Sequence, residues 1–174
     1  KTALYQIISN NGFKVVGYSG LWDAYKDTDT RSDGKVWDMY SNTSNFTFVT
    51  DQDKGSGGTI EGDKYNREHS FPQSWFEKAS GNMKSDLFNV YPTDKLVNNK
   101  RSNYPYGETN GEIYKSDNSF SKLGTCTFPG YSGTVFEPND QYKGDFARSY
   151  FYIATCYEDV FPQFGGEMTA GNSY

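Results

Sequence analysis

The stretch YNREHSFPQSWF, residues 65–76, holds His69, the only histidine among 174 residues. One imidazole cannot assemble a multi-histidine zinc site. It can accept a proton near neutral pH, since its unperturbed pKa is about 6.5. Glu68 stands beside it, and Asn98 and Asn99 follow downstream. A carboxylate with an amide oxygen makes a sparse, hard, all-oxygen site that suits Mg²⁺ retaining several of its waters. An imidazole next to such a site can deprotonate an attacking water while the metal stabilises charge on a phosphate. Arg101, close behind the asparagines, is placed to grip that phosphate.

The bland reading competes. A lone histidine is more often structural than catalytic, and Glu beside His means little. Geometry also objects, because neighbours on a strand point to opposite faces. Glu68 and His69 share a site only where the strand ends, bulges or bends, and Pro72 makes an ending credible. On spacing alone, catalysis is the minority reading.

The elements that must position these residues follow from periodicity and punctuation. KTALYQIISNNG puts Leu4, Ile7 and Ile8 on one helical face, with Asn10–Asn11–Gly12 as a stop. SGLWDAYKDTD predicts a second short helix capped by Ser19. KVWDMY and NFTFVT are expected to pair as strands. DQDKGSGGTIEGD has a DxDxG opening, but it lacks the sixth-position glycine and closing glutamate of a calcium loop and reads as a flexible connector. SWFEKAS reads as a short helix and SDLFNVY as a strand. Pro92–Thr93–Asp94 then gives a turn and an N-cap for a helix over DKLVNNKRS. The clearest helix is DQYKGDFARSYFYIATCYEDV, with the stripe Tyr142, Phe146, Tyr150, Ile153, Tyr157 and Asp140 as cap.

Composition sets the frame. Only 34% of residues are hydrophobic and mean hydropathy is −0.83. The 15 Tyr, 13 Phe and 3 Trp nevertheless argue for a folded chain, because disordered chains are poor in aromatics. A net charge of −5 excludes a protein that coats nucleic acid by charge alone, though not an enzyme with a local basic cleft. No apolar run approaches a membrane span. Cys126 and Cys156 allow a single intrachain pairing, which the sequence leaves open. NTS at Asn42 and NFT at Asn45 match the glycosylation pattern only weakly.

The joint pattern is more specific than its parts. YNREHSFPQSWF followed by DLFNVYPTDKLVNNKRSNYPYGE resembles the bacterial endonuclease I family of secreted nucleases and extracellular ribonucleases. SGLWDAY, RSDGKVWDMYS and TVFEPNDQYKGDFARSYFYIATCYE match the same family in the same order. The resemblance implies an α+β fold with a ββα-metal (His-Me finger) core, additional helices and long loops. It implies one nuclease domain over residues 1–174, lacking a C-terminal segment that relatives carry. By position, it makes His69 the general base and Glu68 and Asn98 the ligands of Mg²⁺, or of another divalent cation such as Ca²⁺ or Mn²⁺. Arg101 and Arg148 match family arginines and are expected to contact phosphate or nucleic acid. Asp86 and Asn89 match DLxN and are expected to support the site, with Asn99 and Asn103 structural. Where some relatives have a second histidine this chain has Phe88 and Asn89, so no second imidazole takes part.

The implied activity is sequence-nonspecific hydrolysis of DNA, RNA or both to 5′-phosphate ends, by a secreted or periplasmic monomer without membrane attachment. Nothing in the chain suggests base readout: it has no recognition helix rich in Arg, Asn and Gln and no dimerisation heptad. Two other readings stay open. One is a catalytically silent nucleic-acid or glycan binding module that stacks ligands on its aromatics. The other is an inactive fragment of a nuclease.

Overall fold

The computed structural model describes residues 2–10, 16–76, 81–160 and 162. Its centre is a short hairpin that runs directly into a helix. Strand β1 (Tyr65–His69) pairs antiparallel with β2 (Val90–Asp94), setting Glu68 opposite Tyr91 and His69 opposite Val90. Among the described residues this sheet has two strands, which leaves β2 an edge. That permits Pro92, which has no N–H to give, to stand opposite Arg67. The expected turn at Pro92–Thr93–Asp94 is therefore the second half of β2. SDLFNVY is mostly not strand: a 3₁₀ turn at Met83–Ser85 ends on its first residue, and pairing begins only at Val90. The Asp86 backbone carbonyl accepts from the N–H groups of Asn89 and Val90, which holds that stretch in a turn.

The helix α4 (Lys95–Arg101) starts where β2 stops. The Asp94 carboxylate accepts from the N–H of Val97 at 3.0 Å, which makes it the expected N-cap. The connector over residues 51–63 is tied to this helix, since Lys95 Nζ donates to Asp53 at 2.9 Å. Gly58, with φ +73°, lies where a Cβ would collide with the Lys95 stem.

A second sheet of three antiparallel strands, β3 (Tyr114–Lys115), β4 (Lys122–Thr125) and β5 (Thr134–Glu137), leads into the long helix. That helix, α5 (Asp140–Cys156), is capped by Asn139, whose side chain accepts from the N–H of Gln141; Asp140 is its first residue rather than its cap. Its apolar stripe serves two cores. Phe146 packs with Tyr40, Val97, Leu123 and Phe136, whereas Ile153 packs with Phe71, Trp75, Phe76 and Met83. Helix α3 (Gln73–Phe76) supplies Trp75 and Phe76, and the rest of the expected SWFEKAS helix lies outside the described residues. Helix α1 (Thr2–Asn10) packs Ile8 near the second core, but Leu4 and Ile7 stay 56% and 59% exposed. Helix α2 (Leu21–Thr28) is preceded by Gly20 with no side-chain cap, so Ser19 does not cap it.

Two further expectations are corrected. KVWDMY and NFTFVT lie alongside each other through a bond from the Val36 N–H to the Phe46 carbonyl, but they form no strand pair. Asp38 interrupts the ladder by accepting from the Tyr40 N–H, the Ser44 hydroxyl and the Asp94 N–H. Cys126 and Cys156 are both free, one part-buried beside the Phe128 carbonyl and the other in the core. The architecture is α+β, and among the described residues no helix is long and apolar enough to cross a membrane.

Candidate active site

The end of β1, the start of α3 and the exposed side of α4 enclose a cleft of about 330 Å³ whose walls include Arg67, Glu68, His69, Gln73, Asn98 and Asn103. Glu68 and His69 both line this cleft although they are neighbours on β1, which ends at His69 with the Ser70 N–H still bonded in register to the Asn89 carbonyl.

His69 is only 8% exposed. Its Nε2 lies 3.1 Å from the Lys84 carbonyl. A carbonyl only accepts, so Nε2 carries the proton and Nδ1 keeps its lone pair. Burial lowers the imidazole pKa to about 4, which leaves the ring neutral at physiological pH. The Tyr18 ring stacks on it at 6.0 Å, and Phe76 packs at the same distance on a tilt.

Glu68 is 3% exposed and receives two strong bonds on Oε1, from the Tyr40 hydroxyl at 2.6 Å and from Arg101 Nη1 at 2.6 Å. Burial raises the carboxyl pKa and the Arg101 charge opposes that shift. The buried guanidinium in contact with it favours the carboxylate form. Neither of these two bonds falls on Oε2. Asn98 donates Nδ2 to Asn66 Oδ1 at 2.8 Å, which leaves its own Oδ1 as an acceptor. The donor set toward the cleft is thus one carboxylate oxygen and one amide oxygen. Such a set fits a hard cation that keeps most of its water, as Mg²⁺ does. It does not fit a softer metal that wants a cage: no group of three or more His, Cys, Asp or Glu suited to a metal exists among the described residues.

Arg101 departs from the expectation of a phosphate contact. It is 0% exposed, and four of its five N–H groups are spent on Glu68 Oε1 and the carbonyls of His69, Ser70 and Tyr104. It is an internal brace. Arg148 is exposed but pairs with Asp145 and lines a different cleft, with Trp37, Phe88 and Tyr142, so the structure does not bring it to His69.

Asn89 and Asp86 both lie on the stretch that leads into β2. Asn89 is fully buried; its Oδ1 accepts from the Ser70 hydroxyl and the Phe71 N–H, and its Nδ2 reaches the Phe71 and Met83 carbonyls. It therefore shapes the backbone on both sides of the imidazole. Asp86 holds the Phe88 N–H and the hydroxyls of Tyr152 and Tyr157, anchoring the turn before β2 to α5. Asn99 is exposed, while Asn103 donates to Ser74 at the cleft rim.

Several residues were not anticipated as part of this environment. Arg67 lies on the cleft wall with its guanidinium 3.5 Å over the Tyr18 ring and one N–H on the Tyr18 carbonyl. Tyr40 and Tyr106 form a buried hydroxyl pair behind Glu68. Arg67 and Tyr40 stand inside motifs already conspicuous, YNREH and KVWDMY, yet no spacing rule distinguishes them from ordinary aromatic and basic residues.

A family model described as Endonuclease I matches residues 1–174. The chain is 32% identical over 177 residues to the extracellular ribonuclease of Bacillus subtilis (strain 168), covering 99% of this chain and 54% of that protein. It is 32% identical over 179 residues to the extracellular ribonuclease of Bacillus amyloliquefaciens, with the same coverage of 99% and 54%. Endonuclease-1 of Buchnera aphidicola subsp. Acyrthosiphon pisum (strain APS) is 31% identical over 85 residues, 48% of this chain and 31% of that one. The chain spans about half the length of the two ribonucleases it matches. No solved structure matches significantly.

Proposed function

This chain belongs to the endonuclease I family, and on that footing we propose that it is a metal-dependent, sequence-nonspecific endonuclease cleaving DNA, RNA or both to 5′-phosphate products. One observation carries the assignment: Nε2 of His69 is tied to the Lys84 carbonyl, which leaves Nδ1 as a base in the cleft that Glu68 and Asn98 also line. A buried, neutral imidazole with a fixed tautomer is the form of histidine that takes a proton rather than gives one.

Glu68 and Asn98 would hold Mg²⁺, or Ca²⁺ or Mn²⁺ in its place. When bound, the cation supplies charge stabilisation to the phosphate and the leaving oxygen. His69 Nδ1 accepts a proton from the attacking water as its oxygen bonds to phosphorus. The bond from phosphorus to the 3′ oxygen breaks, and that oxygen takes a proton from solvent, leaving the phosphate on the 5′ end. Arg67 supplies positive charge on the cleft wall, in the part first expected of Arg101. The hairpin running into α4 is consistent with a His-Me finger core. The names of the two Bacillus relatives favour RNA among the substrates and a secreted location. A single-domain monomer completes the reading.

The test is cleavage of plasmid DNA and of a structured RNA by the purified chain, in Mg²⁺ and in EDTA, beside His69→Ala. Cleavage that requires both metal and His69 supports the reading and ranks the substrates. Cleavage by His69→Ala at the parent rate sinks the base assignment.

A further inference from the structure

The network behind Glu68 has a direction. A carboxylate accepts only, so the Tyr40 hydroxyl spends its one hydrogen on Oε1 at 2.6 Å. Tyr106, whose oxygen is 2.7 Å from that of Tyr40, must then donate to Tyr40. Such a chain polarises each bond in turn and strengthens the last one. The Tyr40 ring is itself fixed, with Phe136 at 4.7 Å and Phe146 at 5.6 Å between ring centres, so its hydroxyl has one place to point.

Arg101 approaches the same oxygen from α4, at 2.6 Å, while it also holds the carbonyls of His69 and Ser70. It lies one turn beyond Asn98 on that helix, so one guanidinium fixes the distance between the strand end and the helix. The Tyr106 ring packs 4.7 Å from the guanidinium carbon. Oε1 is thus claimed twice, and Oε2 is the carboxylate oxygen that neither Tyr40 nor Arg101 uses in a residue that lines the cleft.

We infer that Tyr40 and Arg101 are positioning residues that hold Oε1 of Glu68 and so present Oε2 alone to the cation, with Tyr106 reinforcing Tyr40. The inference rests on the assignment of Glu68 as a metal ligand made above. It adds that the carboxylate binds through one oxygen and that metal affinity is set partly by two hydroxyls that never touch the metal. Groups of this kind, hydrogen-bonded to a ligand, are typically worth about 10–100-fold in metal affinity or activity.

The experiment is calorimetric titration of Mn²⁺ and of Mg²⁺ into the full chain and into Tyr40→Phe, Tyr106→Phe, Glu68→Gln and Tyr25→Phe, each checked for fold by circular dichroism and thermal melting. Tyr25→Phe is the control for loss of a buried hydroxyl, because that hydroxyl binds the Val90 carbonyl away from the cleft. The expected result is affinity lost in Glu68→Gln, weakened about tenfold in Tyr40→Phe, weakened less in Tyr106→Phe, and unchanged in Tyr25→Phe. A folded Tyr40→Phe that binds both ions as tightly as the parent overturns the inference while Glu68 keeps its role. Glu68→Gln binding like the parent overturns the metal assignment and this inference with it. Should Tyr40→Phe fail to fold, Tyr106→Phe decides by the same criterion.

Discussion

Arg101 Nη1 and Glu68 Oε1 lie 2.6 Å apart with both side chains buried, and this pair joins the helix that carries Asn98 to the strand that carries His69. The arrangement explains why an arginine at this position is inside the fold. Its planar fork reaches a carboxylate and three carbonyls at once, which a flexible ammonium does not reproduce.

Arg101→Leu strands a buried carboxylate and three carbonyls. The expected loss of stability is about 3–5 kcal/mol, and Arg101→Lys recovers little of it. Urea unfolding measures both; a shift below about 1 kcal/mol in the leucine variant is incompatible with the brace.

Asn89→Ala leaves the Phe71 N–H and the Ser70 hydroxyl without their buried acceptor. Roughly 2–3 kcal/mol should go, together with turnover, because the backbone that carries the imidazole loosens. Asn89→Asp fails to rescue, since a carboxylate there faces the Phe71 and Met83 carbonyls with nothing to donate. Thermal melting alongside a cleavage assay separates the variants, and an aspartate variant as stable as the parent contradicts this account.

Arg67 and Arg148, which line different clefts, should differ. Arg67→Ala removes cationic charge from the wall of the His69 cleft and is expected to raise KM for nucleic acid about tenfold, the order of one charge-assisted bond. Arg148→Ala, in the other cleft, should leave KM within about twofold, since an exposed i,i+3 ion pair contributes little. Steady-state kinetics on a defined RNA decides, and equal effects of the two variants would remove the distinction.

The three buried carboxyls Asp38, Asp94 and Asp29 should make stability fall as pH rises through the acid-to-neutral range, outweighing the opposite contribution of His69, whose imidazole burial lowers to about 4. Burial raises Asp38 to about 7 and Asp94 and Asp29 to about 6, against roughly 3.9 in the unfolded chain. Between those values the folded state holds protons that the unfolded state has released. The contribution is therefore full below about pH 4 and lost as pH climbs through the folded values. Melting temperature across pH 4–8 tests this, and Asp29→Asn, which alters a carboxylate that accepts from Thr28 Oγ1, should flatten part of the slope. A slope of opposite sign in the parent, unchanged in Asp29→Asn, would count against it.

Local chemistry carried much of the sequence reading. The long amphipathic helix with Phe146 and Ile153 inward, and the cap at Asp94, depend on periodicity and on one side chain meeting a nearby N–H. The strand expected over KVWDMY was misjudged because Asp38 bonds to Asp94, far away in the chain, and so its segment is shaped by a partner that no local window contains. Arg101 was misplaced for the same reason. A helical arginine next to asparagines looks alike from the sequence whether it faces solvent or a buried glutamate.

By itself the sequence determined the chemistry on offer: one imidazole, a neighbouring carboxylate, an amide on the next helix, and the family pattern that joins them. Those are matters of residue type and order, which the chain states outright. Only the tertiary structure decided which groups line the cleft and which are spent inside the fold. The fold sets two neighbouring side chains at the end of β1 on the wall of one cleft, and burial keeps that imidazole neutral. Tyr40 and Arg101 occupy one oxygen of Glu68 and leave the other, because packing against Phe136, Phe146 and Tyr106 gives them a single direction in which to reach.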